Sequence, residues 1–162
     1  MKIALYSGTF DPITKGHQEI IKRASKMCEK LVVAVLVNKN KKTWFSQAER
    51  KEMVQSVLQD IPNIEIIEYD GLLVDYMAKI DCKYIIRGLR AVADYEYELT
   101  LAYGNFEISS GEVETVFIPS SKKYLYISSS LVREVASYDG KLDNYLDDRI
   151  VEKIRVRSKE QK

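Results

Sequence analysis

Residues 2 to 17 read Lys2-Ile3-Ala4-Leu5-Tyr6-Ser7-Gly8-Thr9-Phe10-Asp11-Pro12-Ile13-Thr14-Lys15-Gly16-His17. The first five form a short, largely apolar run typical of a buried strand, and Gly8, Pro12 and Gly16 then interrupt regular structure. A helical pattern follows, with apolar side chains at Ile20, Ile21, Ala24 and Met27. The stretch therefore predicts a strand, a loop and a helix, with His17 near the helix N-terminus.

A histidine in that position is suited to an anion. Helix N-termini present unpaired N–H groups and the positive end of the helix dipole, and an imidazole can add a further donor. His17 is the only histidine in the chain. A lone histidine is more often a surface or satisfied core residue, but the nearby glycines and Thr9 favour a phosphate site here.

The rest of the chain alternates apolar, β-rich runs with helical patterns. Further strands are predicted at 31–37, 64–68, 84–86 and 114–118. Ser46-Gln47-Ala48-Glu49 is a capping box and predicts that a second helix starts at Ser46. A further helix is predicted from Asp94 to about Ser109, and a C-terminal helical segment is predicted from about position 142. This order predicts one α/β domain over 1–162, with a Rossmann-like, open, parallel five-stranded sheet and helices on both faces.

Composition excludes several classes of protein. The 25 basic and 24 acidic residues nearly cancel, so no strong field favours nucleic acid or an anionic membrane. No apolar stretch is long enough to span a bilayer, and none resembles a signal peptide. Cys28 and Cys82 lack metal-ligand spacing, and we expect reduced thiols. The sequence thus predicts an unprocessed cytoplasmic protein that binds neither nucleic acid nor membrane.

Two arginines follow the predicted strand Tyr84-Ile85-Ile86. Arg87 and Arg90 can clamp a phosphate through paired donors, and Gly88 between them allows close backbone approach. The alternative is that they pair with acidic residues of the next helix, namely Asp94, Glu96 or Glu98. Both arrangements can hold in one protein.

Two other segments also follow strands. The loop Asn38-Lys39-Asn40-Lys41-Lys42 offers lysines that can reach a transferring phosphoryl group, but the pattern does not choose between Lys39, Lys41 and Lys42. The run Tyr124-Leu125-Tyr126-Ile127-Ser128-Ser129-Ser130 ends where another helix is predicted, which makes it a second anion cradle or a plain helix cap. Its tyrosines can stack on a base or pack at a strand edge.

Four motifs together resemble a known family. Thr14-x-Gly16-His17, with Gly8-Thr9-Phe10-Asp11-Pro12, Arg87-Gly88-Leu89-Arg90 and Ile127-Ser128-Ser129-Ser130-x-x-Arg133, is similar to the bacterial phosphopantetheine adenylyltransferases of the nucleotidyltransferase superfamily. The resemblance runs from position 1 to about 150 and is closest from Ile86 to Glu98.

The resemblance implies adenylyl transfer from ATP to 4′-phosphopantetheine, which gives dephospho-CoA and pyrophosphate in the penultimate step of coenzyme A synthesis. It implies that His17, Lys41 and Arg90 are catalytic, with His17 stabilising the transition state. The acceptor would contact Thr9, Lys41, Leu73 and Arg87. ATP would contact Thr9, Phe10, His17, Gly88, Leu89, Arg90, Glu98 and the segment Tyr124, Leu125, Tyr126, Ile127, Ser128, Ser129, Ser130. Mg²⁺ would be held mainly by the ATP phosphates rather than by protein ligands, and the assembly would be a homohexamer.

Two alternatives stay open. Other enzymes of the superfamily transfer adenylyl or cytidylyl groups to other phosphates, such as nicotinamide mononucleotide or glycerol phosphate, and the Arg87–Glu98 segment argues against them. A nucleotide-binding sensor without catalysis is the second, although a sensor has no need of cationic groups converging on a second anion.

Overall fold

A computed structural model describes residues 1–37, 42–90 and 92–161. Five strands alternate with helices along the chain: β1 (Ile3–Gly8), α1 (Lys15–Ala24), β2 (Lys30–Leu36), α2 (Gln47–Leu58), β3 (Ile64–Tyr69), α3 (Leu73–Lys79), β4 (Tyr84–Leu89), α4 (Val92–Ile108), β5 (Glu114–Pro119), α5 (Ser129–Ser137) and α6 (Asp148–Glu160). Short 3₁₀ turns occupy Ser25–Met27 and Lys122–Tyr124.

The strands form one parallel sheet in the order β3-β2-β1-β4-β5. The predicted open, parallel five-stranded sheet is therefore confirmed, and each predicted strand is present within two or three residues of its expected ends. In β2, Leu31–Val35 are all buried, as expected of a strand covered on both faces.

Helices cover both faces of the sheet. One face carries Ala4, Leu31 and Val33, which join a core with buried residues of α1, α2, α5 and α6. The other face carries Leu5, Val32 and Ile85, which pack with Val74 and Met77 of α3. The predicted two-sided covering is confirmed.

Two helix predictions need correction, and one helix was not predicted. α1 ends at Ala24, and Met27 lies in a 3₁₀ turn with 41% of its surface exposed. The C-terminal helix begins at Asp148 rather than near 142, because Asp147 caps it by accepting a hydrogen bond from the Arg149 N–H. Leu142 and Leu146 are buried from turns before the cap, so their spacing mimics a helix. The short helix α3 was not specified by the sequence pattern.

The order of the strands reverses at the centre of the sheet. From β1 the chain builds outward through β2 and β3, then returns to place β4 on the other side of β1. Such a switch point opens a crevice beyond the carboxyl ends of the two central strands, where open α/β sheets bind ligands. In the part of the chain that the structure describes, no helix is long and apolar enough to cross a membrane.

Candidate active site

A cavity of about 830 Å³ lies at this switch point, beyond the carboxyl ends of β1 and β4. On one side of the sheet edge it reaches the N-termini of α1 and α5, and on the other side it reaches α3 and α4. Most of the predicted site residues line it: Thr9, Phe10, His17, Leu73, Arg87, Gly88, Arg90, Glu98, Ile127, Ser128, Ser129 and Ser130.

Some predicted residues are not brought to the cavity wall. Leu89, Tyr124, Leu125 and Tyr126 are absent from its lining, although the Cβ of Tyr124 lies 3.7 Å from where a Cβ on Gly16 would be. Lys41 and Lys39 lie outside the described residues. Lys42, the third lysine of that loop, lines the cavity with an exposed side chain.

His17 is held by a capping box at the start of α1. Thr14 is the N-cap, and its hydroxyl accepts from the His17 N–H, while the Thr14 N–H donates to His17 Nδ1 over 3.0 Å. A capping box usually has glutamate or glutamine at the third helical position, and here the imidazole of His17 takes that place. Because Nδ1 accepts a backbone N–H, it carries no proton, and the ring proton of neutral His17 is on Nε2.

The surroundings of His17 keep the ring neutral. Burial, together with the positive charges of Arg90 and Arg87, lowers the pKa of His17 from 6.5 to about 4. The ring packs edge-on against Phe10, with centroids 5.3 Å apart. Phe10 is itself buried and has a φ of 52°, a left-handed conformation that turns the loop beneath the imidazole.

Arg87 is engaged by α4 and by β1. Its Nε and Nη2 atoms donate to the two carboxylate oxygens of Glu98 over 2.6 and 2.8 Å, and its Nη1 donates to the Ser7 carbonyl over 2.9 Å. Burial lowers the pKa of Arg87, but hydrogen bonding and attraction to Glu98 outweigh it and leave the pKa above its ordinary value. The predicted pairing with an acidic residue of the next helix is present.

Arg90 joins two of the predicted segments. It pairs with Asp94 over 2.9 Å, and its Nη1 donates to the Ile127 carbonyl over 3.1 Å. The loop after β4 is thereby linked to the serine run before α5. Gly88 makes room for a neighbour inside the protein, because a Cβ there would lie 3.0 Å from Cγ1 of Ile20.

The three serines have different roles. Ser128 is the N-cap of α5 and accepts from the Leu131 N–H over 3.1 Å. Ser129 donates to the Pro12 carbonyl over 2.8 Å, which attaches the start of α5 to the loop before α1. The N-termini of α1 and α5 therefore border the same cavity, and together they favour anionic groups.

The sequence patterns did not predict a buried polar network at the wall of the cavity. Asp11 is 2% exposed, accepts from the Trp44 and Phe45 N–H groups over 2.9 and 3.1 Å, and pairs with Arg133 over 2.9 Å. Arg50, also 2% exposed, donates to three backbone carbonyls. Its signal was present in the sequence, since Arg50 precedes Met53 and Val54 by three and four residues and so lies on the apolar face of α2.

The sequence patterns also did not predict that α4 forms part of the cavity wall. Leu101, Ala102 and Asn105 of α4 line it together with Thr115 of β5. The Thr115 hydroxyl is buried without a hydrogen-bond partner among the described residues. Nothing in the spacing of these residues distinguishes a cavity wall from an ordinary helix face.

Comparisons with known proteins agree on one group of enzymes. The cytidylyltransferase-like family matches residues 5–135. A phosphopantetheine adenylyltransferase from Fusobacterium nucleatum subsp. nucleatum is 48% identical over 160 residues, covering 99% of this chain and 98% of its own. A phosphopantetheine adenylyltransferase from Caldanaerobacter subterraneus subsp. tengcongensis is 45% identical, covering 98% of this chain and 99% of its own.

A solved structure shares the fold. A crystal structure from Vibrio parahaemolyticus, provisionally described as a nicotinate-nucleotide adenylyltransferase, aligns with a TM-score of 0.71 over 97% of this chain and 96% of its own. The sequences are 16% identical, so this likeness concerns the fold alone.

Proposed function

The chain belongs to the phosphopantetheine adenylyltransferases within the cytidylyltransferase-like family, and from this we propose that it transfers an adenylyl group from ATP to 4′-phosphopantetheine. In this reaction an oxygen of the pantetheine phosphate bonds to the α-phosphorus of ATP. The bond from the α-phosphorus to the oxygen that bridges to the β-phosphate breaks, and pyrophosphate leaves. The products are dephospho-CoA and pyrophosphate, and the same steps run in reverse.

One observation carries the proposal: a single cavity is lined from several elements by groups suited to anions. His17 and the N-termini of α1 and α5 lie on one side, and Arg87 and α4 lie on the other. Adenylyl transfer needs two phosphates held together and charge stabilised as pyrophosphate departs, with no nucleophilic side chain. The apolar side chains Leu73, Leu101 and Ala102 also line the cavity and would suit the pantetheine arm.

In this proposal His17 acts as a hydrogen-bond donor. Its neutral ring donates from Nε2 to a phosphate oxygen of ATP, because Nδ1 is occupied by Thr14. A donor aimed at charge that grows in the transition state lowers the barrier more than it strengthens binding. Arg90, Thr9 and Gly88 would contact ATP nearby, with Ser128–Ser130 and the segment from Tyr124.

Arg87 and Lys41 would hold the acceptor phosphate. Because Arg87 is already paired with Glu98, an incoming phosphate competes with that carboxylate or uses the remaining N–H of Nη2. Glu98 would thus adjust the position of Arg87 as well as border ATP. The role of Lys41 rests on the family resemblance.

The donor set fits Mg²⁺ held through phosphates. Among the described residues that line the cavity, Asp11, Asp94 and Glu98 each already pair with an arginine. Phosphate oxygens and water are therefore the ligands left for the ion. When bound with ATP, Mg²⁺ would neutralise charge on the departing pyrophosphate.

We further propose a homohexamer in the cytoplasm. The oligomer is supported by α4, which exposes Tyr97 and Tyr103 (each 64%) and Ile108 (56%) in the single chain. The two unpaired thiols, Cys28 and Cys82, are compatible with a reducing compartment.

The acceptor is tested by measuring ATP-dependent pyrophosphate release from the purified protein. Phosphopantetheine, nicotinamide mononucleotide and glycerol phosphate are supplied separately. Release with phosphopantetheine alone is the expected result. Release only with another acceptor would move the protein to a different specificity, and ATP binding without release for any acceptor would indicate a sensor.

A further inference from the structure

We propose that Arg50 is a positioning residue for the adenylyl transfer described above, because one buried guanidinium joins Thr9 to both ends of the loop between β2 and α2. The inference rests on the proposed function for its reaction. It concerns a residue on the outer side of the site wall that does not line the cavity.

The environment of Arg50 is unusual for an arginine. Its side chain lies on the buried face of α2 and is 2% exposed. Among the described residues, no carboxylate lies within ion-pair distance of its guanidinium. Removing a charge from water without a counterion costs free energy, and the hydrogen bonds must offset that cost. All of the bonds found go to backbone carbonyls.

The three carbonyls belong to separate parts of the site wall. Arg50 Nη1 donates to the Leu36 carbonyl at the end of β2 over 2.9 Å, and Nε donates to the Phe45 carbonyl over 3.3 Å. Leu36 and Phe45 are on either side of the lysine loop. The same Nη1 donates to the Thr9 carbonyl, in the loop that precedes α1. The guanidinium thus connects the loop before α1 to Leu36 and Phe45, the two described residues that flank the lysine loop in sequence.

The Thr9 carbonyl is a sensitive point of attachment. It belongs to the peptide that enters Phe10, whose φ is 52°, and the Phe10 ring supports the His17 ring. A rotation of this peptide would move Thr9 and the imidazole together. Displacements of about 1 Å can slow a reaction that depends on alignment about 100-fold.

Arg157 provides a matched control. It also approaches this loop from outside, donates to the Trp44 carbonyl, stacks over the Phe45 ring at 4.6 Å and pairs with Glu49. It has no hydrogen bond to Thr9 or Leu36 among the described contacts. If Arg50 only stabilised the fold, substitutions of Arg50 and Arg157 should lower kcat to a similar extent. If Arg50 aligns the reacting groups, only its substitution should lower kcat strongly.

The experiment compares Arg50→Lys and Arg50→Ala with Arg157→Lys and Arg157→Ala in the full chain. For each we measure kcat, KM for ATP and for the acceptor, and the thermal midpoint, using the acceptor that the unmodified protein turns over. We expect Arg50→Ala to lower kcat about 100-fold and Arg50→Lys at least about 10-fold, since an ammonium lacks the planar fork. KM for ATP should change less than about threefold, because the proposed ATP contacts at Gly88, Arg90 and Ser128–Ser130 do not depend on Arg50.

Chemical rescue separates alignment from folding. Guanidinium chloride, far below denaturing concentrations, should restore part of the kcat of Arg50→Ala and none of any loss in Arg157→Ala. The inference is overturned if both Arg50 variants keep kcat within about threefold of the unmodified protein. It is also overturned if the Arg157 variants lose as much kcat for the same fall in thermal midpoint. Turnover with an acceptor other than phosphopantetheine would refute the proposed substrate but leave the comparison of the arginine variants valid. No turnover with any acceptor would refute both the proposed function and the proposed role of Arg50.

Discussion

At the scale of single residues, the site depends on what an imidazole does in place of a carboxylate. Glutamate at the third helical position would close the capping box but would bring a negative charge to a phosphate site. His17 closes the same box through Nδ1 and remains neutral, with a proton on Nε2. One side chain therefore caps α1 and leaves Nε2–H as the donor that we propose for the phosphate.

Substitution of His17 should separate these two roles. Glutamine can still accept the Thr14 N–H, so His17→Gln should keep its thermal midpoint within a few degrees while kcat falls about 100- to 1,000-fold. His17→Ala should lose similar kcat and also stability. KM for ATP should change little in both variants, as measured by steady-state pyrophosphate release. Turnover by His17→Gln at the unmodified rate would show that capping is the only role of the residue.

The charge state of His17 predicts a pH dependence. With the folded pKa near 4 and the unfolded pKa near 6.5, the unfolded chain binds more protons between these values. The favourable contribution of neutral His17 is therefore complete above pH 6.5 and is lost as pH falls towards 4. It amounts to at most about 3 kcal/mol.

Denaturant unfolding from pH 7 to pH 4 measures this contribution. The unmodified protein should lose more stability than His17→Gln, which has no imidazole to titrate. Because the chain has one histidine, its ring resonances need no assignment and should show the Nε2–H tautomer without titration between pH 8 and pH 5.5. A ring that titrates near pH 6.5 would contradict the buried, neutral state.

At the scale of elements, Asp11 fastens three parts of the chain. Asp11 lies in the loop before α1. Its carboxylate accepts hydrogen bonds from the N–H groups of Trp44 and Phe45 just before α2, and it pairs with Arg133 of α5. The loop before α1, the residues just before α2 and helix α5 are thereby held together. The geometry of the cavity thus depends on a residue two positions after Thr9.

Asp11→Asn should test this attachment. The amide keeps the shape but loses the charge and one acceptor, so one backbone N–H loses its partner and the half-buried Arg133 keeps only its bond to the Asp11 carbonyl. We expect a loss of about 2 to 3 kcal/mol in the free energy of unfolding. Asp60→Asn is the control, since Asp60 is 71% exposed in its pair with Arg149, and should cost less than about 1 kcal/mol. Equal losses in the two variants would contradict the role of Asp11.

Local sequence patterns were enough to predict the strands and most of the helix starts. The capping box at Ser46, for example, is present as predicted, because its hydrogen bonds join residues three apart. The network of Asp11 and Arg50 was missed, because all of its contacts except that between Arg50 and Phe45 join residues 14 to 122 positions apart, and only the folded chain brings them together. The false helix start near 142 has the same origin, since Leu142 and Leu146 are buried by packing from turns.

At the scale of the whole molecule, α4 is a helix that the single chain leaves largely exposed. Its pattern of Tyr97, Leu101 and Ile108 predicts a face packed against the core, yet these residues are 64%, 38% and 56% exposed. Among residues 94–108 no side chain is fully buried. Glu98 on this helix holds Arg87, so partners that cover α4 would also steady the acceptor side of the cavity.

The proposed hexamer should therefore depend on α4. Tyr103 does not line the cavity and is 64% exposed, so Tyr103→Glu places a charge in the expected interface without touching the site wall. Light scattering should give six copies of the 18.7 kDa chain for the unmodified protein and a smaller assembly for the variant. Tyr138→Glu, at the end of α5 and 82% exposed, should keep the full mass. KM for the acceptor should rise in Tyr103→Glu as Glu98 and Arg87 lose support. A single-chain mass for the unmodified protein, or an unchanged mass for Tyr103→Glu, would refute this use of α4.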